Sequence, residues 1–160
     1  MKTRNLTLVL AGLAMLGPFA TDTFLPSFPA ISTHFDVSSV LVQQTLSVYL
    51  AAYAFMTLFY GTLSDSFGRR PVILASLVLF AIGSIGAAFA PSFGWLLFFR
   101  GMQGASAGAG RVIGQAIVRD TLSGAAAQKM LANIMMVFGI APAIAPIIGG
   151  WLHVAYGWQS

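Results

Sequence analysis

Four aspartates, Asp22, Asp36, Asp65 and Asp120, supply every side-chain carboxylate in this chain of 160 residues, which contains no glutamate. Only Asp22 falls inside a long apolar stretch, and Arg100 and Arg111 fall inside another. An ionisable group at membrane depth is costly and marks a proton or ligand path, a structural pair, or a side chain snorkelling to the interface. If a transported proton rides on a carboxylate of this chain, Asp22 is the candidate. At 100° per residue, Arg100, Gly104, Ala107, Arg111 and Gln115 lie within about 80° of one another, with Gln103 and Gly108 at the margins. That is one polar, small-residue face on an otherwise apolar helix. Asp22 and Arg100 are both expected roughly 6–9 Å outward of the midplane, close enough to pair across two helices. A neighbouring cation favours the ionised carboxylate and desolvation the neutral one, so such a pair can couple protonation to conformation.

Other chemistry is poorly supported. Gly104-Ala-Ser106-Ala-Gly108 satisfies the G-x-S-x-G pattern of serine hydrolases, but His34 and His153 are both predicted near outer helix ends, and the chain is read as no enzyme. Gly108-x-Gly110 with Gly114 has the wrong spacing for a dinucleotide loop. With no cysteine and no ligand cluster, neither a disulfide nor a metal site is expected, nor any cofactor.

These residues sit in a chain that is 58% hydrophobic and 8% charged, more apolar than a soluble core of this length can hide. Five stretches are long enough to cross about 30 Å of hydrocarbon: Leu6–Ile31, Val40–Gly61, Val72–Ala90, Trp95–Val118 and Met130–Val154. All must be helical, because backbone amides facing lipid are satisfied within their own segment. Asp36 and Ser38 fall in a short link, Pro71 suits a first helical turn, and Pro91 with Gly94 marks a turn. Lys2, Arg4, Arg69, Arg70, Arg119 and Lys129 fall on one side if the helices alternate, and that side is predicted to be cytoplasmic. The net charge of +4 is thus assigned to topology rather than to a nucleic-acid partner. A cleaved leader is disfavoured, since cleavage after Ala20 places Pro18 where a small residue belongs.

The segment Gly61 to Leu74, GTLSDSFGRRPVIL, carries Gly61, Asp65, Gly68, Arg69 and Arg70. It resembles the loop signature of the major facilitator superfamily. Leu97 to Gly104, LFFRGMQG, resembles the fourth-helix motif of proton-coupled drug exporters in that superfamily, with Arg100, Gln103 and Gly104 in matching places. Asp22 to Ile31, DTFLPSFPAI, resembles the first-helix motif of its bicyclomycin- and chloramphenicol-resistance branch. Gly139 to Leu152, GIAPAIAPIIGGWL, resembles the fifth-helix antiporter motif through Gly139, Pro142, Pro146, Gly149 and Gly150, while Ala141 and Ala145 replace the usual glycines.

The resemblance implies an all-α membrane protein, the N-terminal five helices of a twelve-helix fold in which substrate binds between two six-helix halves. The chain reaches Gly157-Trp158-Gln159-Ser160 where a sixth helix is expected to begin, so residues 1–160 alone are expected to confer no drug resistance. The implied function is proton-driven efflux of small drugs across the bacterial inner membrane, with a missing C-terminal half as partner and the proton gradient as energy source. Asp22 and Arg100 are the implied proton-coupling residues, and the Asp65–Arg69/Arg70 cluster the cytoplasmic gate. Gln43, Tyr49, Arg111 and Gln115 are candidate cavity residues, with Gln44, Ser47 and Tyr53 nearby. Pro26, Pro29, Pro142 and Pro146 are expected to kink continuing helices. The rivals are a metabolite or sugar transporter of the same fold and a membrane fragment that transports nothing.

Overall fold

The computed structural model describes residues 3–159 and is helical almost throughout. Lys2, used above for orientation, lies outside the described residues. Helix α1 runs Thr3–Asp22, followed by a 3-10 turn at Leu25–Ser27 and α2 at Phe28–Phe35. The second span is α3, Ser39–Thr57, with α4, Tyr60–Phe67. Single helices make the rest: α5 at Arg69–Ala88, α6 at Phe93–Thr121 and α7 at Gly124–Tyr156.

The chain directions alternate. Gly110 of α6 packs on the Leu13 carbonyl while Gly17 of α1 meets Ala107, so α1 and α6 are antiparallel. Gly104 abuts Tyr49 and Gly108 abuts Thr57, so α3 and α6 are parallel. Met130 and Ile134 of α7 cluster with Leu10 and Ala14, and Gly149 meets Thr23, so α7 runs along α1. Arg69, Arg70, Arg119 and Lys129 therefore gather at the end of the bundle where α1 begins.

Helix α6 is the hub. Twelve of its 29 residues are buried, against three of 20 in α5 and five of 33 in α7. Asn5–Phe35, Ser39–Thr57, Arg69–Ala88 and Gly124–Tyr156 are long and apolar enough to cross a membrane. These four helices overlap four of the five apolar stretches of the sequence. Helix α6 has the length but carries Arg100, Gln103, Arg111 and Gln115, and its polar, small-residue face is packed against the other helices while Trp95 and Phe98 face outward. Large apolar side chains cover the outside, such as Ile85 at 62% and Val154 at 87% exposure, a surface suited to hydrocarbon.

Two expectations about local structure are corrected. Pro26 and Pro29 do not kink a continuing helix; they open the 3-10 turn and α2. Proline lacks the amide that would bond four residues back, so α1 stops at Asp22 and Thr23–Phe24 form a turn. Pro142 and Pro146, by contrast, lie inside an unbroken α7. The signature segment is not an open loop either. Asp65 belongs to α4, and the connection shrinks to Gly68, whose φ of 92° is one that L side chains rarely adopt. Ser38 caps α3 by accepting a hydrogen bond from the Leu41 amide at 3.3 Å.

Close approach at α6 depends on missing side chains. A Cβ on Gly104 would collide with the Tyr49 carbonyl oxygen, which is backbone and cannot swing aside. Gly104→Ala is therefore expected to cost about 1–3 kcal/mol through overpacking, read as a lowered melting temperature of the detergent-solubilised protein. Gly12→Ala, with open space around its Cβ, should show no such fall. Equal behaviour of the two variants would contradict this packing.

Candidate functional site

The polar face of α6 meets the break in α1. Arg100 is 2% exposed, and its Nη1 donates to Gln103 Oε1 at 2.9 Å. Gln103 Nε2 donates to Ser84 Oγ at 2.8 Å on α5, and Ser84 donates onward to the Phe80 carbonyl at 2.9 Å. The guanidinium carbon lies 4.1 Å from the centre of the Phe24 ring and 4.6 Å from that of Tyr49. Each such cation–π contact is worth roughly 0.5–2 kcal/mol when desolvated. Tyr49 is itself fixed by donating its hydroxyl to the Gly17 carbonyl at 3.0 Å. Arg100 Nε and Nη2 are buried without a hydrogen-bond partner among the described residues.

The expected Asp22–Arg100 pair is absent: among the described residues the ion pairs are Arg69–Asp65 and Arg69–Asp120. The reason lies in the break. Because α1 ends at Asp22, the turn that follows brings Phe24, not the carboxylate, over the guanidinium. Asp22 instead lines a cavity of about 340 Å³ together with Tyr49, Tyr53, Arg111, Phe138 and Pro142. Arg100 and Gln103 line a separate, mostly apolar cavity of about 680 Å³ bounded by α1, α5 and α6. Of the expected cavity residues, Tyr49 and Arg111 take part. Gln43 is exposed and Gln115 half-buried, and neither lines either cavity.

The signature residues converge on one arginine. Arg69 Nη1 lies 2.9 Å from Asp65 Oδ1 and donates to Ser64 Oγ at 2.5 Å. Its Nη2 and Nε reach Asp120 Oδ2 at 3.1 and 3.2 Å. The guanidinium thus ties α4 and α5 to the end of α6. Arg70 is exposed and makes none of these ion pairs. Gly61 has open space beside it, so its place in the signature is not explained by close packing.

The fifth-helix motif divides between two faces. Ala141, Ala145 and Gly149, four residues apart, are buried against this half, and a Cβ on Gly149 would collide with the Thr23 carbonyl at the α1 break. A methyl group added at Gly139 or Gly150 would meet nothing within 4 Å, and Pro142 is exposed. Ser106 of the hydrolase-like pattern is a helix-face residue, its hydroxyl directed to the Met102 and Gln103 carbonyls at 2.8 and 3.0 Å.

Sequence reasoning missed Asp120 as a partner of Arg69, and Phe24 and Phe138 as aromatic lining, whereas Tyr53 was among the residues it named. Asp120 stands 51 residues from Arg69, and no local spacing signals that meeting.

The sequence profile described as Major Facilitator Superfamily matches residues 10–160. The chain is similar to a bicyclomycin resistance protein homolog of Haemophilus influenzae, with 38% identity over 96% of this chain and 38% of that protein. It is similar to the multidrug resistance protein MdtL of a Shewanella species at 36% identity, covering 93% of this chain and 38% of the relative. It is also similar to multidrug resistance protein D of Escherichia coli at 33% identity, covering 98% and 40%. The chain therefore spans about two-fifths of the length of these relatives.

The Arg69 cluster allows a direct check. A double-mutant cycle between Arg69→Gln and Asp120→Asn, read by thermal stability, should give a coupling of about 0.2–1 kcal/mol, as expected for a partly exposed pair. The coupling should shrink in high salt. No coupling at low salt would mean that α5 and α6 are not tied there.

Proposed function

The chain belongs to the Major Facilitator Superfamily, a family of transporters rather than enzymes, and is a multi-pass membrane protein; from this premise we propose that it forms part of a proton-coupled exporter of small drug-like molecules. The relatives named for bicyclomycin and multidrug resistance support this reading of the substrate class. The rest of such a transporter, a second helical half, completes the substrate path. The membrane is the bacterial inner membrane, and the end bearing Arg69, Arg119 and Lys129 is cytoplasmic by the positive-inside rule.

The observation that carries the proposal is the setting of Asp22. It is the sole acid within an apolar span and lines a cavity with no ion pair among the described residues. A carboxylate so placed can hold a proton or a cationic group of the drug, but not both at full strength. Proton binding from outside releases drug, and proton loss inside prepares the site for the next molecule. Arg100, held by Phe24 and Tyr49, lines the other cavity and leaves the Asp22 carboxylate without a paired cation among the described residues. The Asp65–Arg69–Asp120 cluster holds the helix ends together at the cytoplasmic side and yields as the halves rock.

In the complete transporter, Asp22→Asn is expected to lower proton-driven drug accumulation in inverted membrane vesicles at least tenfold. Passive drug binding should weaken through loss of the charge but remain measurable at higher drug concentration, because asparagine keeps the size of the side chain. Undiminished drug/proton exchange in that variant would remove Asp22 from the coupling. An Arg100→Ala transporter that couples normally would reduce Arg100 to packing.

A further inference from the structure

The cavity that holds Asp22 also holds a second charge of opposite sign. Arg111 lines it, with its guanidinium carbon 4.8 Å from the centre of the Phe138 ring. Neither Asp22 nor Arg111 makes a side-chain hydrogen bond or an ion pair with the described residues, and they do not pair with each other. Their separation follows from helix register. Gly110, next to Arg111, packs on Leu13, nine residues from Asp22, or about 13 Å along α1. The arginine side chain shortens that gap without closing it. Tyr49, Tyr53 and Phe138 line the same cavity.

Two opposite charges in one aromatic-lined cavity within the membrane, unpaired among the described residues, are expensive to maintain unless something bridges them. Resting on the efflux reading above, we propose that this cavity selects zwitterionic amphiphiles. A protonated amine sits at Asp22, an anionic group such as a carboxylate at Arg111, and a planar apolar body between them against the aromatic rings. A guanidinium offers several donors in one plane, which suits a carboxylate held by two hydrogen bonds. The spacing excludes simple α-amino acids, whose two charges are only two bonds apart. It also separates this role from that of Arg100, which is enclosed by rings and lines the other cavity.

The test uses the complete transporter in proteoliposomes and one fluorescent ring compound in three forms. The first carries an amine and a carboxylate at opposite ends, the second is its methyl ester, and the third has its amine acetylated. The wild type is expected to export the zwitterion about tenfold more effectively than the ester, the scale of one charge-assisted interaction. Arg111→Gln should bring the zwitterion-to-ester ratio close to one, and Arg111→Lys should keep most of the preference, which guards against misfolding as the cause. Equal export of zwitterion and ester by the wild type, or a ratio unchanged by Arg111→Gln, would overturn the proposal and leave drug efflux standing. Failure to export any of the three forms, together with failure to export other drugs, would instead count against efflux itself.

Discussion

Enclosure of α6 is the constraint on which the rest of the structure depends. A helix bearing Arg100, Gln103, Arg111 and Gln115 is too polar to face lipid, and its backbone must come close to its neighbours for those groups to find partners. Small residues make that approach possible: Gly104 admits the Tyr49 carbonyl and Gly110 the Leu13 carbonyl. Once α3 and α1 are drawn in this tightly, Tyr49 lies over the Arg100 guanidinium and Gln103 reaches Ser84 on α5. The same rotation directs Arg111 into the Asp22 cavity.

The break in α1 is the second determinant. Pro26 and Pro29 lack the amides a continuing helix needs, so the chain turns after Asp22 and re-forms as α2. That turn gives Phe24 the place over Arg100 and leaves Asp22 facing the other cavity. Gly149 of α7 packs directly against the turn at Thr23, so part of the antiporter-like motif supports the break from within this half. Asp22 and Arg100, expected to pair, thereby line two different cavities, and Arg111 shares that of Asp22.

Much of the framework was legible in the sequence because hydropathy, charge asymmetry and proline placement are local signals. The apolar stretches, the shared side of the loop cations and the single polar face of α6 needed no tertiary information. The contacts that give the site its character were not legible, because they join distant segments or depend on a turn. The Arg69–Asp120 bridge spans 51 residues, and the exchange of Asp22 for Phe24 at Arg100 depends on the helix ending at Asp22 rather than kinking and running on. Gln43 and Gln115 stand apart from both cavities. Polarity on a span suggests a cavity role for them, and which surface they serve depends on packing that local sequence does not carry.

The central claim is that Asp22, freed from Arg100, exchanges a proton for drug. The most direct measurement is proton release on drug binding by the purified complete transporter, followed with a pH-sensitive dye in weakly buffered solution below neutral pH. The account predicts release from the wild type, and none from Asp22→Asn at matched drug occupancy. Release of equal size from both proteins would contradict it.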